Sequence, residues 1–187
     1  ELTFRNNISF NNTLGLNEVN IMIVSDHGMT ETPSSKYINI ADYLDLNDVI
    51  TVGRGPFMEI RPKNGNIDEI YQSLVGIEHT QVFKKGETPE DFHYGNNNRI
   101  EPILLLADEQ WSIVTPGYST SLGSHGYDPN YRSMDGIFIA HGPAFKSGFT
   151  GPKIHNIHLY EMMCKILGVV PANNDGSLEI SKVFLND

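Results

Sequence analysis

Residues 19–24 read VNIMIV, a β-branched and nearly continuous apolar run that stops abruptly at Ser25-Asp26-His27-Gly28. A strand of that composition has no polar face to offer water. It is expected at the centre of a parallel sheet covered on both sides, in an α/β fold. Open α/β sheets bind ligands at the carboxyl ends of such strands, and here that end carries an acid and an imidazole side by side. The chain of 187 residues suits one ordinary domain or a large part of a bigger one. With 39% hydrophobic and 19% charged residues it has the makings of a packed core.

Charge narrows the partners. Thirteen basic against 23 acidic residues leave a net charge of −10, which repels nucleic-acid backbones and anionic membranes. An anionic substrate would need local cations, and metal ions are the obvious source. The single cysteine, Cys164, excludes an internal disulfide framework and a CxxC site. It sits among apolar residues and reads as a buried, inert thiol. No apolar run approaches the roughly 18 residues of a membrane-spanning helix. The chain starts at Glu1 rather than Met, as a piece of something longer would. Two N-x-S/T sequons, at Asn7 and Asn11, lean toward a secreted or lumenal setting with glycosylation there.

Further along, Asn39 is placed to cap a short helix over 40–46. Residues 49–52 and 57–60 flank Gly53-Arg54-Gly55-Pro56 and predict a hairpin. Ile67, Ile70, Tyr71, Leu74 and Val75 repeat with helical period, with Asp68 and Glu69 at the positive amino end. Residues 80–84 read as a strand. Residues 103–106 and 111–114 read as a second hairpin around Ala107-Asp108-Glu109-Gln110. Together these form a small antiparallel α+β insert, 48–115, between strands of the main sheet, to which 137–140 returns. A last helix over 159–167, with Asn156 as its cap, ends at Gly168.

Three stretches carry candidate chemistry. In Ser25-Asp26-His27-Gly28-Met29, a glycine permits the turn that would aim Asp26 and His27 into one cleft. A hard oxygen and an imidazole nitrogen suit zinc or manganese; the plainer alternative is a capping Asp and a surface His. His125, between Gly123-Ser124 and Gly126-Tyr127-Asp128, lies 98 positions after His27, far enough to come from another strand end. His141, His155, His158, His79 and His93 read as structural, solvated or capping residues. There is no Gly-x-Ser-x-Gly elbow and no P-loop, so the segment offers no attacking group of its own.

Residues 20–29 (NIMIVSDHGM), 123–128 (GSHGYD) and 134–146 (MDGIFIAHGPAFK) closely resemble the ectonucleotide pyrophosphatase/phosphodiesterase family, the type I phosphodiesterase branch of the alkaline-phosphatase superfamily. Arg99-Ile100-Glu101-Pro102 leading to Ala107-Asp108-Glu109-Gln110-Trp111, and 162–168 followed by Pro171, agree with it. The likeness runs from about residue 17 to residue 178. It implies an alkaline-phosphatase-like α/β fold, with a mainly parallel sheet flanked by helices, of which this chain is the C-terminal half of one catalytic domain.

By that resemblance Asp26 and His27 would bind the zinc that also holds a nucleophilic threonine, and His125 the second zinc. The threonine and the other ligands would lie upstream, so no catalytic residue is expected in this segment. The implied activity is two-zinc hydrolysis of nucleotide phosphodiester or pyrophosphate bonds through a covalent threonine intermediate, in an extracellular or cell-surface protein with a possible membrane anchor elsewhere. The partners would be a small phosphodiester substrate and the missing N-terminal half. Two alternatives share the scaffold: a choline-lipid phosphodiesterase, and a non-catalytic cell-surface interaction protein.

Overall fold

The computed structural model describes residue 15 and residues 18–186. The sequons at Asn7 and Asn11 lie outside the described residues. In chain order the strands are β1 (Ile21–Val24), β2 (Thr30–Glu31), β3 (Tyr37–Asn39), β4 (Val49–Arg54), β5 (Phe57–Pro62), β6 (Thr80–Lys84), β7 (Ile103–Ala107), β8 (Ser112–Val114), β9 (Gly123–Ser124) and β10 (Phe138–His141). The α-helices are α1 (Ile67–Leu74), α2 (Leu159–Leu167) and α3 (Leu178–Ser181). Residues 27–135 form one compact unit; the described residues before and after them form a second.

In the 27–135 unit, β7 organises the packing. All five of its residues, ILLLA, are buried, so neither face nor edge can be left to water. β5 and β6 pair with it antiparallel on its two edges, and β4 pairs with β5, giving the sheet order β4-β5-β7-β6. Side chains alternate. Ile103 and Leu105 join Val49, Met58, Ile60, Leu74 and Ile77 in the main core, while Leu104 and Leu106 line an aromatic cavity of about 420 Å³ with Phe57, Phe83, Phe92 and Tyr94.

Helix α1 starts where Asn66 accepts the Glu69 backbone N–H at 3.4 Å and its amide donates to the Glu69 carboxylate at 2.6 Å. The helical repeat places Leu74 at zero exposure, a burial worth roughly 1.5–3 kcal/mol. Val75, expected on the same face, is instead the extended C-cap and half-exposed.

Three local expectations change here. The first hairpin is longer than its apolar residues indicate: pairing continues to Arg54 and Phe57, leaving Gly55-Pro56 as the turn. The second hairpin does not form. Both edges of β7 are already occupied, so β8 leaves it and pairs parallel with β3. Asn39 caps as expected, but only a 3-10 turn, Ile40–Asp42.

In the other unit, β1 pairs antiparallel with β10, Met22 opposite Ala140 and Val24 opposite Phe138. Among the described residues β10 is its one paired neighbour. An apolar strand demands apolar surroundings, but its composition does not encode the direction of its partner. Met22, Phe138 and Ala140 pack toward Phe145, Met162 and Leu185. Val24 of β1 and Ile139 of β10 remain 50% and 46% exposed, so cover is incomplete among the described residues.

Helix α2 has its expected bounds. Gly168 ends it at φ +67°, and the Val169 N–H returns to the Cys164 carbonyl at 3.0 Å. Cys164 is buried and free, as anticipated. Asn156 opens a 3-10 turn, Asn156–His158, ahead of α2 rather than capping it directly.

Candidate metal centre

At the end of β1 the chain is fixed by its own backbone. The Ser25 N–H donates to the Ile137 carbonyl at 3.1 Å, and Ser25 Oγ accepts the Ile137 N–H at 2.9 Å. Asp26 follows, exposed, its carbonyl accepting from the Asn156 side chain at 3.3 Å.

His27 opens the other unit and is half-buried. Its Nδ1 lies 2.6 Å from the Gly28 carbonyl oxygen. A carbonyl only accepts, so Nδ1 is the donor in this contact, and in a neutral ring Nε2 is then the lone-pair nitrogen. Gly28 in turn donates its N–H to the Met134 carbonyl at 3.0 Å. A Cβ at Gly28 would lie 2.0 Å from the Ser133 carbonyl oxygen and 2.7 Å from that of Asp135. The glycine was expected to supply a turn. Its φ is not positive; what it supplies is room for another stretch of backbone.

His125 arrives by strand pairing. β2 begins three residues after His27, β9 ends one residue before His125, and the two pair antiparallel with Thr30 opposite Ser124. The Thr32 hydroxyl and N–H extend this clamp to the carbonyls of Ser121 and Leu122, at 2.5 and 3.0 Å. The imidazoles of His27 and His125 then stack, centroids 3.7 Å apart and planes within 15°. Two residues on, buried Tyr127 donates its hydroxyl to the Trp111 carbonyl at 3.0 Å. Burial pushes that hydroxyl's pKa up to about 12.

Of the three expected metal ligands, the fold brings His27 and His125 together. Among the described residues no three His, Cys, Asp or Glu side chains form a group able to hold a metal ion. The donor chemistry fits zinc, because neutral imidazole is a preferred ligand, but two nitrogens fall short of the three or four protein ligands a zinc site needs. Any such site must draw on further donors.

Two of the remaining histidines make structural contacts. His158 is buried and its Nδ1 accepts the Ser177 N–H at 3.1 Å, so it is a turn partner rather than a solvated residue. His79 stacks on Trp111 at 3.8 Å, its Nδ1 3.2 Å from the Asp108 carboxylate. His141 and His155 are exposed. The backbone of residues 133–135 that walls in Gly28 leaves no mark in the sequence, since no local spacing signals a contact across more than 100 positions.

Residues 11–128 match the family described as type I phosphodiesterase / nucleotide pyrophosphatase. The chain belongs to this family. Among its phosphodiesterase relatives, the bis(5'-adenosyl)-triphosphatase ENPP4 of Bos taurus is 41% identical over 176 residues, 93% of this chain and 39% of that protein. Ectonucleotide pyrophosphatase/phosphodiesterase family member 5 of Homo sapiens is 37% identical over 172 residues, 91% of this chain and 36% of that protein.

The human ENPP5 structure superposes with a TM-score of 0.86 at 36% identity, covering 92% of this chain and 46% of that one. An inactive murine ENPP5 in complex with AMP gives 0.85 at 37%, covering 89% and 45%. The fold is therefore the expected alkaline-phosphatase-like α/β type, and the chain is part of such a domain. It spans less than two-fifths of the length of these curated relatives. Among the described residues no helix is long and apolar enough to cross a membrane.

Proposed function

We propose that this chain is the C-terminal half of a phosphodiesterase catalytic domain that hydrolyses nucleotide phosphodiester or pyrophosphate bonds, with residues 48–115 as an α+β insert. The observation that carries the reading is the stacked pair His27 and His125, brought from 98 positions apart to 3.7 Å in a chain of the nucleotide pyrophosphatase family. Dinucleotide and mononucleotide chemistry is favoured because one relative is named a bis(5'-adenosyl)-triphosphatase and a structural neighbour was solved with AMP.

Asp26 and His27 serve as ligands of one zinc ion and His125 as a ligand of a second. The remaining ligands and a nucleophilic threonine are contributed by residues outside the chain. Zinc, when bound, neutralises phosphoryl oxygens and lowers the pKa of a bound hydroxyl or water. Such local cations reconcile an anionic substrate with a protein of net charge −10.

The chain's own residues orient the donors. Gly28 holds the Nδ1 proton of His27, which leaves Nε2 as the metal-facing nitrogen. The β2–β9 pairing delivers His125 beside it. The setting is extracellular or cell-surface, in keeping with relatives named ectonucleotide enzymes, and Asn7 and Asn11 are glycosylated there.

The test is hydrolysis of a bis(adenosyl) polyphosphate by the full-length protein, with zinc content measured in the same preparation. Release of AMP that disappears on chelation and returns with zinc supports the reading. A zinc-free protein with full turnover, or a zinc-loaded one preferring lysophosphocholine, overturns it.

A further inference from the structure

The turn at residues 108–111 connects β7 to β8, and nothing in the proposed chemistry uses it. It is held from several sides. The Trp111 N–H closes it on the Asp108 carbonyl at 2.9 Å, and Gln110 takes a left-handed φ of +73°. The Asp108 N–H donates to the His79 carbonyl at 2.9 Å, and the His79 ring lies flat on Trp111. Lys36 donates its ammonium to Gln110 Oε1 at 2.5 Å.

From this anchored turn two arms reach toward the two imidazoles. The Glu109 carboxylate accepts the Ser133 hydroxyl. The Ser133 carbonyl is packed against Gly28, whose own N–H is held by Met134 and whose carbonyl fixes His27 Nδ1. The second arm is backbone: the Trp111 carbonyl accepts the Tyr127 hydroxyl at 3.0 Å, two residues beyond His125.

We propose that the 108–111 turn sets the spacing of His27 and His125, with Glu109 as a positioning residue for His27 through Ser133 and Gly28, and Trp111 as the anchor for His125 through Tyr127. Glu109 touches neither imidazole. It fixes the peptide that fixes the ring, and a ring free to tilt loses the pre-set direction of its donor nitrogen. The consequence for zinc rests on the reading of His27 and His125 as ligands; the spacing itself does not.

Full-length Glu109→Ala, Glu109→Gln, Ser133→Ala and Tyr127→Phe proteins test this with two readouts. One is the imidazole nitrogen and proton spectrum of the metal-free protein, which reports the tautomer and ring stacking. The other is zinc affinity by competition with a chelator. Glu109→Ala is expected to shift the His27 signals and to weaken zinc binding about 10–100-fold. Ser133→Ala reproduces both effects, and the double variant adds nothing further, because the two residues act as one link. Glu109→Gln restores both, since its amide oxygen accepts the same hydroxyl. Tyr127→Phe shifts His125 and not His27.

Unshifted His27 signals in Glu109→Ala, or in Ser133→Ala should the first variant fail to fold, overturn the proposal. Failure of the metal reading is separate: His27→Ala would then bind zinc as tightly as the unaltered protein, whatever the spectra of Glu109→Ala show.

Discussion

Gly28 and Ser133 lie so close that a methyl group on Gly28 would sit 2.0 Å from the Ser133 carbonyl oxygen. Two backbones meet there with no side chain between them. Because the obstacle is main chain rather than a flexible side chain, no rotamer change relieves it. Gly28→Ala is expected to destabilise the fold by at least the upper end of the roughly 1–3 kcal/mol typical of overpacking. It should also displace His27. Thermal unfolding together with zinc content checks both effects, and an alanine variant of unchanged stability would contradict the close approach.

His27 lies three residues beyond β1, whereas exposed His155 directly precedes the 3-10 turn Asn156–His158, and the two differ in predicted role. In the full-length protein His27→Ala is expected to lower hydrolysis by about 100-fold or more, beyond what loss of an outer-shell partner costs. Exposed His155→Ala should stay within roughly two-fold of the unaltered enzyme. Steady-state rates on one dinucleotide substrate decide it, and equal losses would remove the metal assignment.

The isolated 187-residue chain carries two stacked imidazoles but no group of three ligands among its described residues. It is expected to bind zinc poorly and to show no turnover of a nitrophenyl phosphodiester. Zinc-dependent release of nitrophenol by this segment alone would mean that it holds a complete site.

Tyr94 donates its hydroxyl to the carboxylate of buried Glu59, which also accepts the Glu101 N–H at 3.0 Å. Burial first, then the hydrogen bond and charge of Glu59, push the Tyr94 pKa from 10.0 up to about 12. The folded state thus keeps its proton longer than the unfolded chain. The resulting stability is complete below pH 10 and is lost as pH rises from about 10 toward 12. Tyr94→Phe should flatten that alkaline limb in denaturant titrations. At neutral pH it should cost about 1–3 kcal/mol, because a buried carboxylate loses a donor.

Local chemistry was legible wherever one element carries its own reason. The apolar period from Ile67, the acidic pair Asp68 and Glu69 at its start and the Gly168 terminus each depend on neighbours within a few positions, and the helices formed where those signals stand. The motifs around Asp26, His27 and His125 likewise pointed to the family. Pairing was another matter. Residues 103–106 and 111–114 look like a hairpin in isolation, yet β5 and β6 had taken both edges of β7, and competition for an edge is invisible to either strand alone.

The sequence by itself determined the longer strands and helices, such as β4, β5, β7, α1 and α2, and which residues have the chemistry of metal donors. Only the tertiary structure decided that β1 pairs antiparallel with β10, that Gly28 is needed for room rather than for its φ, and that His27 and His125 stack. The reason is range. Periodicity and capping act over one or two turns of chain, whereas strand partners and close approaches are settled by packing between segments about 100 positions apart, where local pattern carries no information.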